Sequence, residues 1–145
     1  MAVACVSTGA KMKEFHLQIV TPDGIEFDGM AESLLVKCET GDVEILAGHT
    51  DLFASVNIGR ARIKTRDGSK TASCAGGFLS VSAGDVRLVN TTFEFAEDID
   101  IERAYASKEK ATLAIERAES ERALILAKAK LSRALNRIRV AGDKR

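Results

Sequence analysis

The chain has 145 residues, 46% of them apolar, and its 21 basic and 21 acidic side chains cancel to a net charge of zero. That size holds one domain or a small domain with an appendage, and the apolar content excludes wholesale disorder. A zero balance also argues against a dedicated nucleic-acid binder, which carries a basic surplus.

The charges are unevenly spread. Residues 1–93 carry a net −2, residues 94–121 a net −5, and residues 122–145 a net +7, with 8 basic and 1 acidic side chain. An acidic segment followed by a basic one can pair with itself or face partners of opposite sign. The three cysteines, Cys5, Cys38 and Cys74, are scattered and odd in number. They form neither a disulfide framework nor a metal-ligand spacing, and they suit a reducing compartment. No apolar run approaches the ~20 residues that cross a bilayer. The opening stretch lacks the apolar region of roughly 7–15 residues that a secretory signal needs. Residues 1–12 are therefore expected to be a flexible extension, with a degenerate organelle-targeting remnant as the alternative.

From about residue 13 to 96 the pattern is that of strands. Phe15, Leu17 and Ile19 alternate with His16 and Gln18, the period of two that turns one face inward. Turn chemistry follows at short intervals: Thr21-Pro22-Asp23-Gly24 holds the only proline, and Thr40-Gly41-Asp42 and Ala47-Gly48-His49 follow it. Arg66-Asp67-Gly68-Ser69 predicts a hairpin, and Ala83-Gly84-Asp85 joins 77–82 to 86–91 in the same way. Strands this short and regularly spaced predict an antiparallel β-sandwich or barrel. Nine of the eleven glycines fall between 24 and 84, which supports the same reading.

After Phe95 there is no proline, no glycine until Gly142, and an abundance of Ala, Glu, Lys, Arg and Leu, all strong helix formers. Asp98 or Asp100 can cap the first helix. Ala104, Ala111 and Ala118 recur every seven residues, with Ser107 and Ala114 between. Leu124, Leu131 and Ile138 do the same, interleaved with Ala127, Ala134 and Ala141. Heptads of this kind make helix–helix seams, and small residues let backbones approach closely. A hairpin over 97–141, turning within Glu116–Arg122, is favoured because the charge reverses there and Ser120 offers a local hydrogen bond. One uninterrupted helix is the rival. Residues 142–145 are left as a tail.

Few constellations carry chemistry. His16, on a strand among acidic neighbours, reads as structural. His49 with Asp51 forms a candidate base-and-orienter pair, but no nucleophile elbow accompanies it. Gly76-Gly77 lacks the phosphate-loop pattern and reads as a bulge or tight packing. The stronger set lies in the helices. Asp100 and Arg103 share one face, and Arg133 and Arg137 share another. A hairpin would let three arginines and a carboxylate converge. Arginine forks suit phosphate oxygens, and Asp accepts from a ribose hydroxyl or an amine. Solvated charge with intrahelical pairs is the plainer alternative.

Five segments in order resemble the epsilon subunits of F-type ATP synthases, across about residues 13–141. Leu17–Gly24 is similar to the family's first strand and turn, and Gly41–Leu52 to its G-x-x-x-I-L-P-G-H-x-P-L loop. Gly76–Val81 is similar to G-G-F-x-x-V, Ile99–Ala104 to the I/L-D-x-x-R-A helix start, and Arg133–Ala141 to the last helix. Ala47 and Asp51 stand where the family has prolines, and the interhelical linker lacks the family's usual polar turn residues.

The resemblance implies a β-sandwich followed by a helical hairpin in a non-catalytic rotor subunit. It implies a sandwich that grips gamma and rests on the c-subunit ring, with Asp42, Glu44 and His49 on the ring side. It implies helices that fold down or extend toward the alpha/beta catalytic sector to inhibit hydrolysis, Arg133, Arg137 and Arg139 meeting the catalytic beta subunit. Placement on the cytoplasmic face of a bacterial plasma membrane follows. No cofactor is implied beyond weak regulatory ATP, for which the matching positions are Glu94, Ile99, Asp100, Arg103, Ala104, Arg133 and Arg137. Leu126 occupies a position that is basic in nucleotide-binding relatives. The rivals from other classes are a free-standing sandwich with a basic helical tail for acidic partners or RNA, and a small hydrolase built on His49 and Asp51.

Overall fold

The computed structural model describes residues 13–142; the expected N-terminal extension and most of the tail lie outside the described residues. Eight strands come first: β1 Phe15–Thr21, β2 Gly24–Ala31, β3 Ser33–Cys38, β4 Gly41–Leu46, β5 Leu52–Val56, β6 Gly59–Thr65, β7 Gly68–Ser82 and β8 Asp85–Phe95. A single turn of 3-10 helix, Ala96–Asp98, leads to α1 Ile101–Glu116 and α2 Glu121–Gly142. The helix pair confirms the hairpin over the single long helix, and α2 continues through Gly142, one residue past its expected end.

The strands hydrogen-bond in the order β2-β1-β8-β7-β5-β3-β4, with β6 bridging β3 and β7. The long strands β7 and β8 serve both layers: β7 pairs with β6 along its first half and with β5 along its second. Inward-facing Leu17, Ile19, Leu34, Val36, Ile45, Ile63, Leu79 and Leu88 meet in one core, each at most 1% exposed. Burying side chains of this size contributes about 1.5–3 kcal/mol each. The sandwich is antiparallel with one exception, the parallel pair β1 and β8, Leu17 opposite Val86. Alternation reports which face a residue takes but not the direction of the neighbouring strand.

The turns follow their chemistry. Thr21 pairs with Gly24 around Pro22-Asp23, and Thr65 pairs with Gly68 around Arg66-Asp67. Ala83 and Gly84 take φ of 50° and 86°, the left-handed geometry of a tight β-hairpin. Gly77 is fixed by packing instead, since a Cβ there would lie 1.8 Å from the Val89 carbonyl oxygen.

Asp100 caps α1, with its Oδ1 accepting from the Arg103 N–H at 3.2 Å. Ser120 caps α2, its hydroxyl accepting from the Ala123 N–H at 3.1 Å. The turn between them therefore falls inside Glu116–Arg122. Ala104 and Ala111 of α1 and Ala127, Ala134 and Ala141 of α2 are buried, while Leu124, Leu131 and Ile138 are half-buried. Alanine, not leucine, fills the tightest part of the seam. A second small core of Ala96, Ile99, Val140 and Ala141 lies where α2 meets the end of β8.

Candidate functional site

The hairpin docks so that α2 presents Arg133, Asn136, Arg137 and Val140 along one stripe, the i, i+3, i+4, i+7 spacing of a single helix face. Three clefts lined in part by Arg137 open beside that stripe, and two of them involve both helices. The larger, about 350 Å³, is lined by Thr92 of β8, Ser107 and Lys110 of α1, and Lys130, Arg133 and Arg137 of α2, with three alanines. The smaller, about 200 Å³, is lined by Glu94, Asp98, Asp100, Arg103, Ala104 and Arg137. Arg137 lines both, so they form one groove with a cationic end and a carboxylate-rich end.

The local sequence explains this arrangement. Asp100 must stand at the mouth because it caps α1, and the cap uses one of its carboxylate oxygens. Ala104 is 2% exposed, and its small side chain lets α2 come close. Arg137 Nε forms an ion pair with Glu94 Oε1 at 3.3 Å, with each side chain about a third exposed (32% and 35%). Such a half-solvated pair is worth only ~0.2–1 kcal/mol. Arg133 Nε is buried and makes no hydrogen bond among the described residues. A buried donor without an acceptor costs about 1–3 kcal/mol, and Arg133 itself lines the larger cleft.

The groove thus gathers six of the seven candidate nucleotide positions. The seventh, Ile99, stands apart: at 5% exposure it belongs to the small core under α2 and offers a ligand no surface. Lys110 and Lys130 join the cationic end, although sequence reasoning passed over them. They sit on different helices with no mutual spacing, and the seam they flank was read through its alanines. Arg139 is exposed on α2 outside both clefts. Leu126 is 55% exposed and lines neither.

The other candidates do not converge. Asp42 and Glu44 are exposed on β4, which pairs only with β3. His49 lies in the turn beyond that strand, its Nδ1 donating to the Thr50 carbonyl at 2.7 Å. Asp51 turns to a different partner, its Oδ1 accepting from the Ala83 N–H at 3.1 Å, so the base-and-orienter pair is not made. His16 Nε2 bonds Asp28 Oδ1 at 2.6 Å on the exposed sheet face, a structural contact. No cluster of metal-ligating side chains occurs among the described residues.

The buried thiols are inert. Burial, and secondarily the neighbouring Cys38, pushes Cys74 up to about 12, while burial and the Asp42 charge raise Cys38. Neither is a thiolate at neutral pH.

Comparison with known proteins places this architecture. Residues 14–96 match the ATP synthase delta/epsilon chain β-sandwich domain, and residues 97–142 match its long α-helix domain. The chain is 38% identical over 132 residues to the ATP synthase epsilon chain of Bacillus velezensis, spanning 91% of this chain and 100% of that one. The chain belongs to the ATP synthase delta/epsilon family. The epsilon chain of Caldicellulosiruptor saccharolyticus is 33% identical over 134 residues, covering 92% of this chain and 98% of its own length. A chain in the cryo-EM structure of the Euglena gracilis mitochondrial ATP synthase shares the fold at a TM-score of 0.71 and 19% identity, over 86% of this chain and 80% of that one. A member of this family is a non-catalytic subunit of the rotor stalk of F-type ATP synthase. No described helix is long and apolar enough to cross a membrane.

Proposed function

We propose that the sandwich of this chain grips gamma and rests on the c-subunit ring, while the helical hairpin regulates ATP hydrolysis in response to ATP. The observation that carries the regulatory part is the groove where Arg133 and Arg137 of α2 meet Asp100 and Arg103 of α1. Its cationic end, completed by Lys110 and Lys130, suits a polyphosphate. Its carboxylate end, Glu94, Asp98 and Asp100, suits ribose hydroxyls or an exocyclic amine. Arg133 and Arg137 lie against the sandwich in the docked hairpin, so they cannot reach the catalytic beta subunit in the same conformation. ATP bound in the groove therefore favours docking by mass action and withholds the basic helix from the catalytic sector. As part of the synthase, this chain sits peripherally on the cytoplasmic face of a bacterial plasma membrane.

Isothermal titration of ATP into the isolated chain tests this. Two or three charge-assisted contacts, offset by ordering the helices, give about −4 to −6 kcal/mol, a dissociation constant nearer millimolar than nanomolar. Adenosine should bind far more weakly, and Arg133→Ala and Arg103→Ala should each weaken ATP. No heat and no chemical-shift change at several millimolar ATP would reduce the groove to a structural seam.

A further inference from the structure

One buried polar contact joins the two halves of the molecule. Asn136, 5% exposed on α2, donates through Nδ2 to the Gly59 carbonyl and to the Ser73 hydroxyl, both at 2.8 Å. These partners lie 77 and 63 residues away, on β6 and β7, at the joint where β5 gives way to β6 along the edge of β7. The Gly59 carbonyl also accepts from Cys74 Sγ at 3.6 Å. Gly59 packs closely on β3, since a Cβ there would meet the Lys37 side chain at 2.8 Å. Ser73 beside it is itself only 7% exposed.

The rest of the helix–sandwich contact is weakly directional. Ala96, Ile99, Val140 and Ala141 form a small apolar cluster, and Arg137–Glu94 is half-solvated. Apolar packing tolerates sliding, and exposed ion pairs tolerate stretching. A buried amide tolerates neither, because displacing it leaves the two N–H donors of Asn136 without their acceptors. A lone Asn in an otherwise apolar helix contact sets register in the same way at heptad seams.

We propose that Asn136 is the positioning residue of the hairpin: its bonds to Gly59 and Ser73 fix where α2 sits on the sandwich. Arg133 and Arg137 flank it at i−3 and i+1, so the same latch sets where both guanidiniums stand. The latch itself does not depend on nucleotide binding; only its effect on ligand affinity rests on the function proposed above.

Amide hydrogen exchange of the full-length chain, read by mass spectrometry, tests the latch. Asn136→Leu keeps the branched shape of the side chain and adds apolar surface while deleting the donor. Were α2 held by packing alone, this variant would hold it equally well or better. The latch predicts instead that amides of α2 beyond about Ala129 exchange roughly tenfold faster or more, the loss of one to two buried hydrogen bonds, while β1 and β8 stay protected. Unchanged or slower exchange in α2 overturns the proposal. If Asn136→Leu fails to fold, Ser73→Ala decides from the other side of the contact: it should raise α2 exchange several-fold, and no rise overturns the proposal. ATP titration of the Leu variant adds a second readout, with weakened binding expected and unchanged affinity contradicting the positioning role. If the wild-type chain binds no ATP, the nucleotide reading falls and the exchange result still decides the latch.

Discussion

Arg137 on α2 reaches Glu94 at the end of β8, Nε to Oε1 at 3.3 Å, and lines both ends of the groove between hairpin and sandwich. One side chain therefore ties docking to the candidate ligand site. The pair is too exposed to hold the hairpin alone. Glu94→Gln should lower thermal stability by less than about 1 kcal/mol. Arg137→Ala should do little more to stability, yet weaken ATP binding by about tenfold, the loss of a charge-assisted contact. Thermal melts and calorimetric titration of the two variants measure both effects.

The sandwich should stand without the hairpin. Its core of Leu17, Ile19, Leu34, Val36, Ile45, Leu79 and Leu88 includes no helical residue, and the cluster under α2 is separate. A chain ending after Glu97 should keep its β-sheet circular dichroism and still co-purify with gamma. Loss of both would show that the hairpin is part of the fold rather than an appendage.

Gly77 should be intolerant of substitution. Its φ is 130°, and a Cβ would lie 1.8 Å from the Val89 carbonyl oxygen. Gly77→Ala combines backbone strain of ~1–3 kcal/mol with a clash against a central strand, so the expected cost exceeds about 4 kcal/mol. Gly48→Ala, at φ 82° with nothing within 4 Å, should cost only about 1–2 kcal/mol. Urea unfolding of both variants separates strain alone from strain with a clash.

Much of this was legible in the residues. Alternation in Phe15–Ile19, Asp-Gly at 67–68 and the alanine heptads carry the sandwich, a hairpin and the helix pair because each depends on neighbours in sequence. What escaped depends on distant partners. Asn136 has no sequence signal, since Gly59 and Ser73 are 77 and 63 residues away. Asp51 beside His49 looks like a dyad until Ala83, 32 residues on, takes its carboxylate. A motif names Ile99 and Asp100 together, but only packing shows that Ile99 faces a core and Asp100 a groove. The parallel register of β1 and β8 is likewise invisible to a period of two.

Burial of Cys74 predicts an alkaline limb to stability. Its thiol titrates near pH 9 in the unfolded chain and is pushed up to about 12 in the fold, chiefly by desolvation. The unfolded state therefore releases the proton first. Stability should be full below pH 9 and decline at up to about 1.4 kcal/mol per pH unit between 9 and 12. Denaturant melts of Cys74→Ala across that range should show a shallower decline than wild type, and parallel slopes would contradict the assignment. Neutral-pH alkylation should likewise spare Cys74 until the protein unfolds.

The most direct measurement is ATP hydrolysis by catalytic alpha and beta subunits reconstituted with gamma, with and without this chain. Wild-type chain should slow hydrolysis, most strongly at low ATP, and lose that effect as ATP rises into the millimolar range and holds the hairpin docked. Replacing Arg133, Arg137 and Arg139 together by Ala should relieve the inhibition in a graded way, each exposed pair being worth ~0.2–1 kcal/mol, while gamma binding through the sandwich is kept. A triple variant that inhibits as wild type does, or wild-type inhibition that ignores ATP concentration, would contradict regulation through these arginines.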